Sequence, residues 1–533
     1  MKKLFKILLA LCLLTGCGGN GGNTDDGKSV LNVATDTDLS SMDHHVATDG
    51  TSFIAQTLVL SGLTKLDENN QPVAELAKSW DITDGGLTYT FYLDDAKWSN
   101  GEPVTAHDFV YGWQFLADPD NACDYQFIIG IINVKNATEV MAGKLEPSEL
   151  GVQAVDEKTL KVTLTQPCDF LLGLMAFPTF FPLNEKFYKE KGDQYALSPE
   201  NILSCGPYVM TSWTAGNSFS FKKNENYFKA DEDKDIVDTI NFKFIQDTQS
   251  AMLEYQSNKL DVVKLTGEMV DAYSSEQGFT NRLAGYLWYL SLNHGNEFIA
   301  NDDLREALAL AIDFETICKS VLKDGSVAAD GIIPKEFTSG PDGKDYREVA
   351  KDYTTFDKDA AAAAYAKAKA TLGKDATIEL LFEDTESSKA VAEYIQYCWE
   401  TYLPGITVNL NSKPKKTRLE LMDNQSFDVA LTRWGPDYAD PQTYLDLFET
   451  TAYDYNSGRY SNAKYDSYIK DIHTITDSQK RWDACMKAEE VLLTDNGIIP
   501  VYQTGSAMMI KTNVKGIDFH SAGVDSYRHV TKQ

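Results

Sequence analysis

The stretch "RWGPDYADP" (Arg433 to Pro441) sets one loop carboxylate, Asp437, between Trp434-Gly435-Pro436 and Tyr438. On the loop alone, such an Asp caps a turn by accepting a backbone N–H two residues on. Other chemistry-bearing residues carry less. The run "DEDKDIVD" (Asp231 to Asp238) imitates a calcium loop at Asp231, Asp233 and Asp235, but Ile236 stands where the turn glycine belongs and no Glu holds the twelfth position. A solvated acidic turn is expected there. Gly16, Gly18 and Gly21 spell G-x-G-x-x-G with no strand before and no helix after, so a nucleotide reading fails on context. The seven histidines are scattered, and His44 and His45, being adjacent, point apart if their segment is extended. No H-E-x-x-H, G-x-S-x-G or Walker loop occurs. No catalytic residue, metal or cofactor is therefore expected. With 79 Asp+Glu some carboxylate pair always resembles a glycosidase dyad, so a surface hydrolase stays open.

The elements around Asp437 say more. "DKDAAAAAYAKAKATLG" (Asp357 to Gly373) has an Asp N-cap, strong helix formers and a Gly stop, and predicts a helix. Then come a strand at Thr377 to Phe382, a helix through "SSKAVAEYIQYCWETYL", a strand at Ile406 to Asn411, a short helix near Arg418 to Met422, and a strand at Phe427 to Trp434. Strand, helix, strand, helix, strand is the pattern of a parallel α/β sheet. Ligands of such sheets sit just beyond the carboxyl ends of the strands, and Asp437 lies three residues past one. Upstream, "NDDLREALALAID" (Asn301 to Asp313) puts Leu304, Ala307, Leu308, Ala311 and Ile312 on one helix face behind an Asn/Asp cap. From about Gly62 to Leu183 apolar and polar residues alternate around Asn-Gly and Asp-Glu turns, a β-rich segment holding one helix at Ala106 to Ala117.

The amino terminus bounds the compartment. Lys2, Lys3 and Lys6 precede an apolar run from Ile7 to Leu14, far short of the roughly 20 residues that span a bilayer, so it reads as an export signal. Leu14-Thr15-Gly16-Cys17 resembles the lipobox of bacterial lipoproteins, which implies cleavage after Gly16, S-diacylation of Cys17 and a flexible tether over 17–29. The protein is expected outside the cell, anchored to the outer face of the membrane. The remaining roughly 500 residues suggest two to four domains. A net charge of −30, from 49 Lys+Arg against 79 Asp+Glu, argues against nucleic acid as a partner, and solubility outside the cell accounts for it. Beyond Cys12 and Cys17, Cys123, Cys168, Cys205, Cys318, Cys398 and Cys485 are widely spaced with no C-x-x-C, which indicates neither a zinc site nor a dense disulfide scaffold.

Five segments in order, "AKWSNGEPVTAHDFVYGWQFLADP" (Ala96 to Pro119), "CGPYVM" (Cys205 to Met210), "NDDLREALALAID", "WGPDYADPQTYL" (Trp434 to Leu445) and "IIPVYQ" (Ile498 to Gln503), resemble the landmarks of oligopeptide-binding proteins, the extracellular receptors of peptide ABC importers. The resemblance spans nearly the whole mature chain; the first and fourth segments are its specific ones. It implies an α/β, two-lobed periplasmic-binding-protein-like fold (type II, cluster C) with an extra β-rich domain inserted in the first lobe. Lobe I would combine 30–60, 185–285 and 505–533, the insertion would be 61–184, and lobe II 286–504. The implied protein is a monomer without cofactor or enzymatic activity that encloses a peptide by hinge closure and delivers it to permease subunits.

The resemblance also implies a site. Asp437 would receive the α-ammonium of a bound peptide while the strand end at Trp434, Gly435 and Pro436 pairs with its backbone, with Thr48, Asp49 and Gly50 opposite and Tyr125 as a ligand-facing aromatic. A buried ammonium needs a paired carboxylate, and backbone pairing holds a peptide without reading its side chains. Trp434 and Tyr125 equally suit a plain core. The sequence departs from some relatives: Leu431 and Met422 fall where arginines for the peptide carboxylate are expected, Pro436 removes a backbone donor, and Gly435 replaces a disulfide cysteine. Relatives of this fold also carry nickel chelates, haem and sugars, so a non-peptide solute stays open as the ligand class.

Overall fold

A computed structural model describes residues 29–68, 70–452 and 455–533. The export signal, Cys17 and nearly all of the tether lie outside the described residues. The backbone of the fold is an 11-stranded mixed sheet. Its order runs Thr407–Lys413, Thr377–Glu383, Val429–Trp434, Phe279–Leu292, Ile498–Ile510, Val262–Leu265, Val30–Thr35, Thr239–Phe244, Ser218–Lys223 and Tyr208–Thr214, with Val327–Ala328 paired on the side of Ile498–Ile510.

Two of these strands form a long ribbon through the middle of the sheet. Phe279–Leu292 and Ile498–Ile510 run antiparallel from Phe279 opposite Met509 to Ser291 opposite Ile498. Val429–Trp434 pairs only with the Leu287–Leu292 half of the first, and Val262–Leu265 only with the Ala507–Ile510 end of the second. Each half of the ribbon thus carries a different set of neighbours, and the register shifts between Leu283 and Leu287 where those sets change. Gly285 sits in that break. A Cβ there would strike the Ser521 carbonyl oxygen and come within 2.6 Å of Pro436 Cγ, so only glycine fits.

On one side of the ribbon the α/β pattern forms as its caps dictate. Asp357 accepts the Asp359 and Ala360 N–H groups to start the helix Lys358–Leu372, and Gly373 ends it at φ +70°. The strands Thr377–Glu383, Thr407–Lys413 and Val429–Trp434 are parallel, joined by the helices Glu386–Tyr402 and Lys415–Asp423. Asn301 caps the helix Asp302–Leu310 through the Leu304 N–H at 2.9 Å, and Leu304, Ala307 and Leu308 are buried beneath it. The residues 77–163 form a separate antiparallel sheet, Ala77–Thr83, Thr88–Leu93, Thr159–Thr163 and Val152–Asp156 in that order. The helix Ala106–Ala117 lies on it, with Trp113 fully buried and its indole N–H donated to the Phe180 carbonyl at 3.1 Å.

Two local expectations meet the structure differently. Ile236 of the acidic turn is buried while Asp231, Glu232, Lys234 and Asp235 around it are exposed, consistent with a solvated turn. His44 and His45 do not point apart. Their segment is a turn, in which the Val46 and Ala47 N–H groups both return to the Asp43 carbonyl at 3.3 and 3.1 Å, and the two rings lie 4.0 Å apart. Alternation of side chains is a property of extended chain, and a turn removes it. All six described cysteines are buried and free.

Because the ribbon break closes around Gly285, Gly285→Ala should overpack it and cost about 1–3 kcal/mol of unfolding free energy in urea denaturation. Gly173→Ala, where a Cβ meets nothing within 4 Å, is expected to be neutral or slightly stabilising in the same assay.

Candidate functional site

A cavity of about 1110 Å³ opens where the segments around 57–75, 169–181, 336–348, 437–440, 478–482 and 518–529 meet. Its wall gathers segments far apart in the chain: Lys65, Asp169, Phe170 and Phe177, then Glu336 to Gly340, then Asp437 to Asp440, then Ser478, Arg481 and Trp482, and finally Asp518 to Ser526. Asp437 to Asp440 enter it because the strand Val429–Trp434 ends at the ribbon break and its continuation turns into the open space.

The two Asp residues of "DYAD" have opposite surroundings. Asp440 is buried and held in a two-pronged pair by the Arg481 guanidinium, at 2.7 and 2.8 Å, while Arg481 also donates to the Ile472 carbonyl and Gln442 Oε1 at 3.0 Å each. Asp437 has no such partner: no Lys or Arg among the described residues is paired with it. Its one side-chain hydrogen bond comes from the Tyr125 hydroxyl, which donates to Oδ1 across 3.4 Å. Desolvation pushes its carboxyl from 3.8 up to about 7, and the Tyr125 contact offsets this only in part. The charge of Asp437 also reaches Tyr286, Tyr438 and Tyr444, whose hydroxyls are all raised, chiefly by burial, with Asp437 adding to the rise. The carboxylate thus meets the Tyr125 hydroxyl, lies near enough to three further tyrosines for them to feel its charge, and is paired with no cation among the described residues.

These aromatics are fixed from both sides. Tyr125 packs on Phe53, Phe127 and Phe177 with ring centroids 5.8, 5.5 and 5.3 Å away. Tyr438 stacks on Phe170 at 4.1 Å, joining the two walls of the cavity. The Tyr444 hydroxyl donates to the Gly285 carbonyl in the ribbon break.

Of the sequence-derived candidates only Asp437 lines the cavity; Tyr125 and the others lie outside the lining. Trp434 is half-buried, its indole N–H reaching Thr443 Oγ1 at 3.3 Å and its ring edge-on to Tyr455 at 5.7 Å. Gly435 lies against the Tyr286 ring with no room for a Cβ, and Pro436 against Gly285. Thr48 and Gly50 are exposed; Asp49 caps the helix Gly50–Val59, accepting Ser52 N–H at 2.9 Å and Ser52 Oγ at 2.7 Å. The structure thus brings Asp437 and Tyr125 together, and leaves Thr48, Asp49 and Gly50 at a helix start. Leu431 and Met422 are core residues; the neighbouring arginines, Arg418 and Arg433, both lean on Glu383 at 3.7 Å. Sequence reasoning missed the Glu336–Gly343 wall, although Gly, Pro and Asp in "EFTSGPDGKDYRE" signal an exposed loop. Arg481 had no signal, being one cation on an ordinary helix, Ser478–Thr494.

Residues 71–456 match the family of bacterial extracellular solute-binding proteins, family 5. The chain belongs to this family. This solute-binding protein is 32% identical to a dipeptide-binding protein of Lactococcus lactis subsp. cremoris, over 97% of its own length and 96% of the relative's. Among solved structures it is similar to the substrate-binding domain of an oligopeptide ABC transporter from Bacillus anthracis, at 38% identity and a TM-score of 0.79, covering 95% and 99% of the two chains. It is likewise similar to Listeria monocytogenes OppA bound to peptide, at 35% identity and a TM-score of 0.79, over 95% and 99%. The family is extracytoplasmic and its members are solute-binding proteins, and no helix among the described residues is long and apolar enough to cross a membrane.

The contrast between the two Asp residues has a stability signature. Asp437 is raised, so the native state holds its proton more tightly than the unfolded chain, and stability falls as pH rises from about 4 to about 7 and is level above. Asp437→Asn should remove that loss, gaining on the order of 1–4 kcal/mol at pH 8 and little at pH 4. Arg481→Ala should instead cost about 3–5 kcal/mol, because it strands Asp440. Thermal denaturation of ligand-free protein at both pH values checks all three statements.

Proposed function

We propose that this protein captures peptides by their free amino terminus and hands them to the permease of an ABC importer at the cell surface. The observation that carries the reading is the unpaired Asp437 carboxylate beside the Tyr125 hydroxyl. A desolvated carboxylate without a cation is unfavourable unless a ligand supplies one. A cavity of about 1110 Å³ is at the upper end of small-molecule sites, roomy enough for a short peptide. The names of the similar proteins, a dipeptide-binding protein and a peptide-bound OppA, support the same ligand class. In this reading the strand end at Trp434, Gly435 and Pro436 pairs with the peptide backbone, Thr48, Asp49 and Gly50 face it on closure, and Tyr125 packs against it. Lobe I takes 30–60, 185–285 and 505–533, lobe II takes 286–504, and 61–184 is the insertion. The protein acts as a monomer and returns its ligand chemically unchanged. Cys17 carries the lipid that holds it at the membrane.

Binding should follow the titration of both partners. Asp437 must be ionised to accept the ammonium, so below pH 7 affinity should fall by up to about tenfold per unit, and above about pH 8 the peptide's α-amino group loses its own charge. Asp437→Ala should cost roughly 2–5 kcal/mol, tens- to thousands-fold in Kd. N-acetylation of the peptide should weaken wild type strongly and add little to that loss. Calorimetry over this double cycle decides it, since additive losses would make Asp437 a turn cap.

Cys17→Ser should leave the protein unlipidated, uncleaved or released. Fractionation reads this out: a mutant that lacks the apolar signal run and still sediments with membranes is not held by Cys17.

A further inference from the structure

One group of metal-ligating side chains stands apart from the cleft. Asp43, His44 and His45 each offer a ligating atom, and these atoms lie within 4.8 Å of one another. The turn at Asp43 places both imidazoles inside the protein, where each is fully buried; His45 Nδ1 faces the Asp43 carboxylate, His44 has only the Phe181 backbone beside it, and no ring nitrogen makes a well-formed hydrogen bond. Buried polar atoms are seldom left so. The contrast within this chain is direct: His294 reaches the Gly497 carbonyl at 3.0 Å, His473 reaches Asp446 at 2.8 Å, and His520 reaches Asn70 at 2.9 Å. Asp43 Oδ1 lies 3.3 Å from His45 Nδ1.

We propose that Asp43, His44 and His45 bind one divalent transition-metal ion, zinc foremost. Two imidazole nitrogens and one carboxylate oxygen suit that class of ion, with water in the fourth position. Ligand atoms around a tetrahedral zinc stand about 3.4 Å apart, so the group needs to close by roughly 1 Å or more from its present spread. The Asp43 side chain is 20% exposed and the histidines are not, so the ion enters past the carboxylate. Bound there, it fastens the turn against the helix Ala106–Ala117, whose Phe115 ring lies 4.9 Å from His45. It also holds the chain just ahead of Thr48, Asp49 and Gly50. The inference is independent of the peptide reading.

The test uses the whole mature chain, produced without a histidine tag or chelator. Elemental analysis should find about one zinc per chain. Cobalt(II) added to stripped protein should develop the visible absorption of a four-coordinate site, EDTA should lower the melting temperature, and zinc should restore it. Asp43→Asn and His45→Gln should each weaken zinc binding at least as much as loss of an outer-shell partner does, about 10–100-fold, with an unchanged circular dichroism spectrum. If His45→Gln does not fold, Asp43→Asn at the exposed edge carries the same titration. A chain with no stoichiometric metal, no cobalt band and a melting temperature indifferent to EDTA and zinc overturns the proposal. So does an Asp43→Asn variant that binds zinc as wild type does.

Discussion

The pairing of Phe279–Leu292 with Ile498–Ile510 is the constraint on which the rest depends. Two strands whose halves have different neighbours must satisfy two sets of partners, and the ladder between them is interrupted at 283–287, where those sets change. A break in a ladder leaves backbone groups to be satisfied elsewhere. The Tyr444 hydroxyl takes the Gly285 carbonyl, and Gln503 Nε2 takes the Ala284 carbonyl at 3.0 Å. The site is built on these repairs, because Tyr444, Pro436 and Tyr286 crowd the same few ångströms and carry Asp437 past them into the cavity.

Charge at Asp437 is handled differently from the ion-paired carboxylates around it, two of which, Glu75 and Asp440, line the same cavity. Burial alone would raise the Glu75 carboxyl, but Arg528 and Lys229 outweigh it and hold it at about 2. Glu489 is likewise paired with Arg347, and Asp440 with Arg481. These pairs cost desolvation and recover it through close contact, so losing one partner is severe. Burial raises Glu489 despite its arginine, and Asp437, which has no cation at all, rises to about 7. A protein with 79 acidic residues and 49 basic ones has carboxylates to spare on its surface; one kept desolvated and unpaired beside a cavity is a different matter.

Local rules were enough for much of the fold. Asp357 and Gly373 bound their helix, Asn301 caps its own, and the strands through Thr377, Thr407 and Val429 lie within two residues of the edges that periodicity assigns. Short-range hydrogen bonds and hydrophobic period set such features, and both are written in contiguous residues. The position of Asp437 just past a strand end was legible for the same reason, and the order of five family segments carried the two-lobed architecture.

What only the tertiary structure decided is whatever rests on residues distant in sequence. The cavity wall draws on positions from Lys65 to Ser526, and no periodicity relates them. That Asp440 meets Arg481 while Asp437 meets Tyr125 depends on which helix and which loop arrive beside each carboxylate, 41 and 312 residues away. His44 and His45 come together because the chain turns where extension would have separated them. Sequence sets what each residue can do to its neighbours along the chain; burial, and therefore the cost of an unpaired charge, exists only once the chain has closed around it.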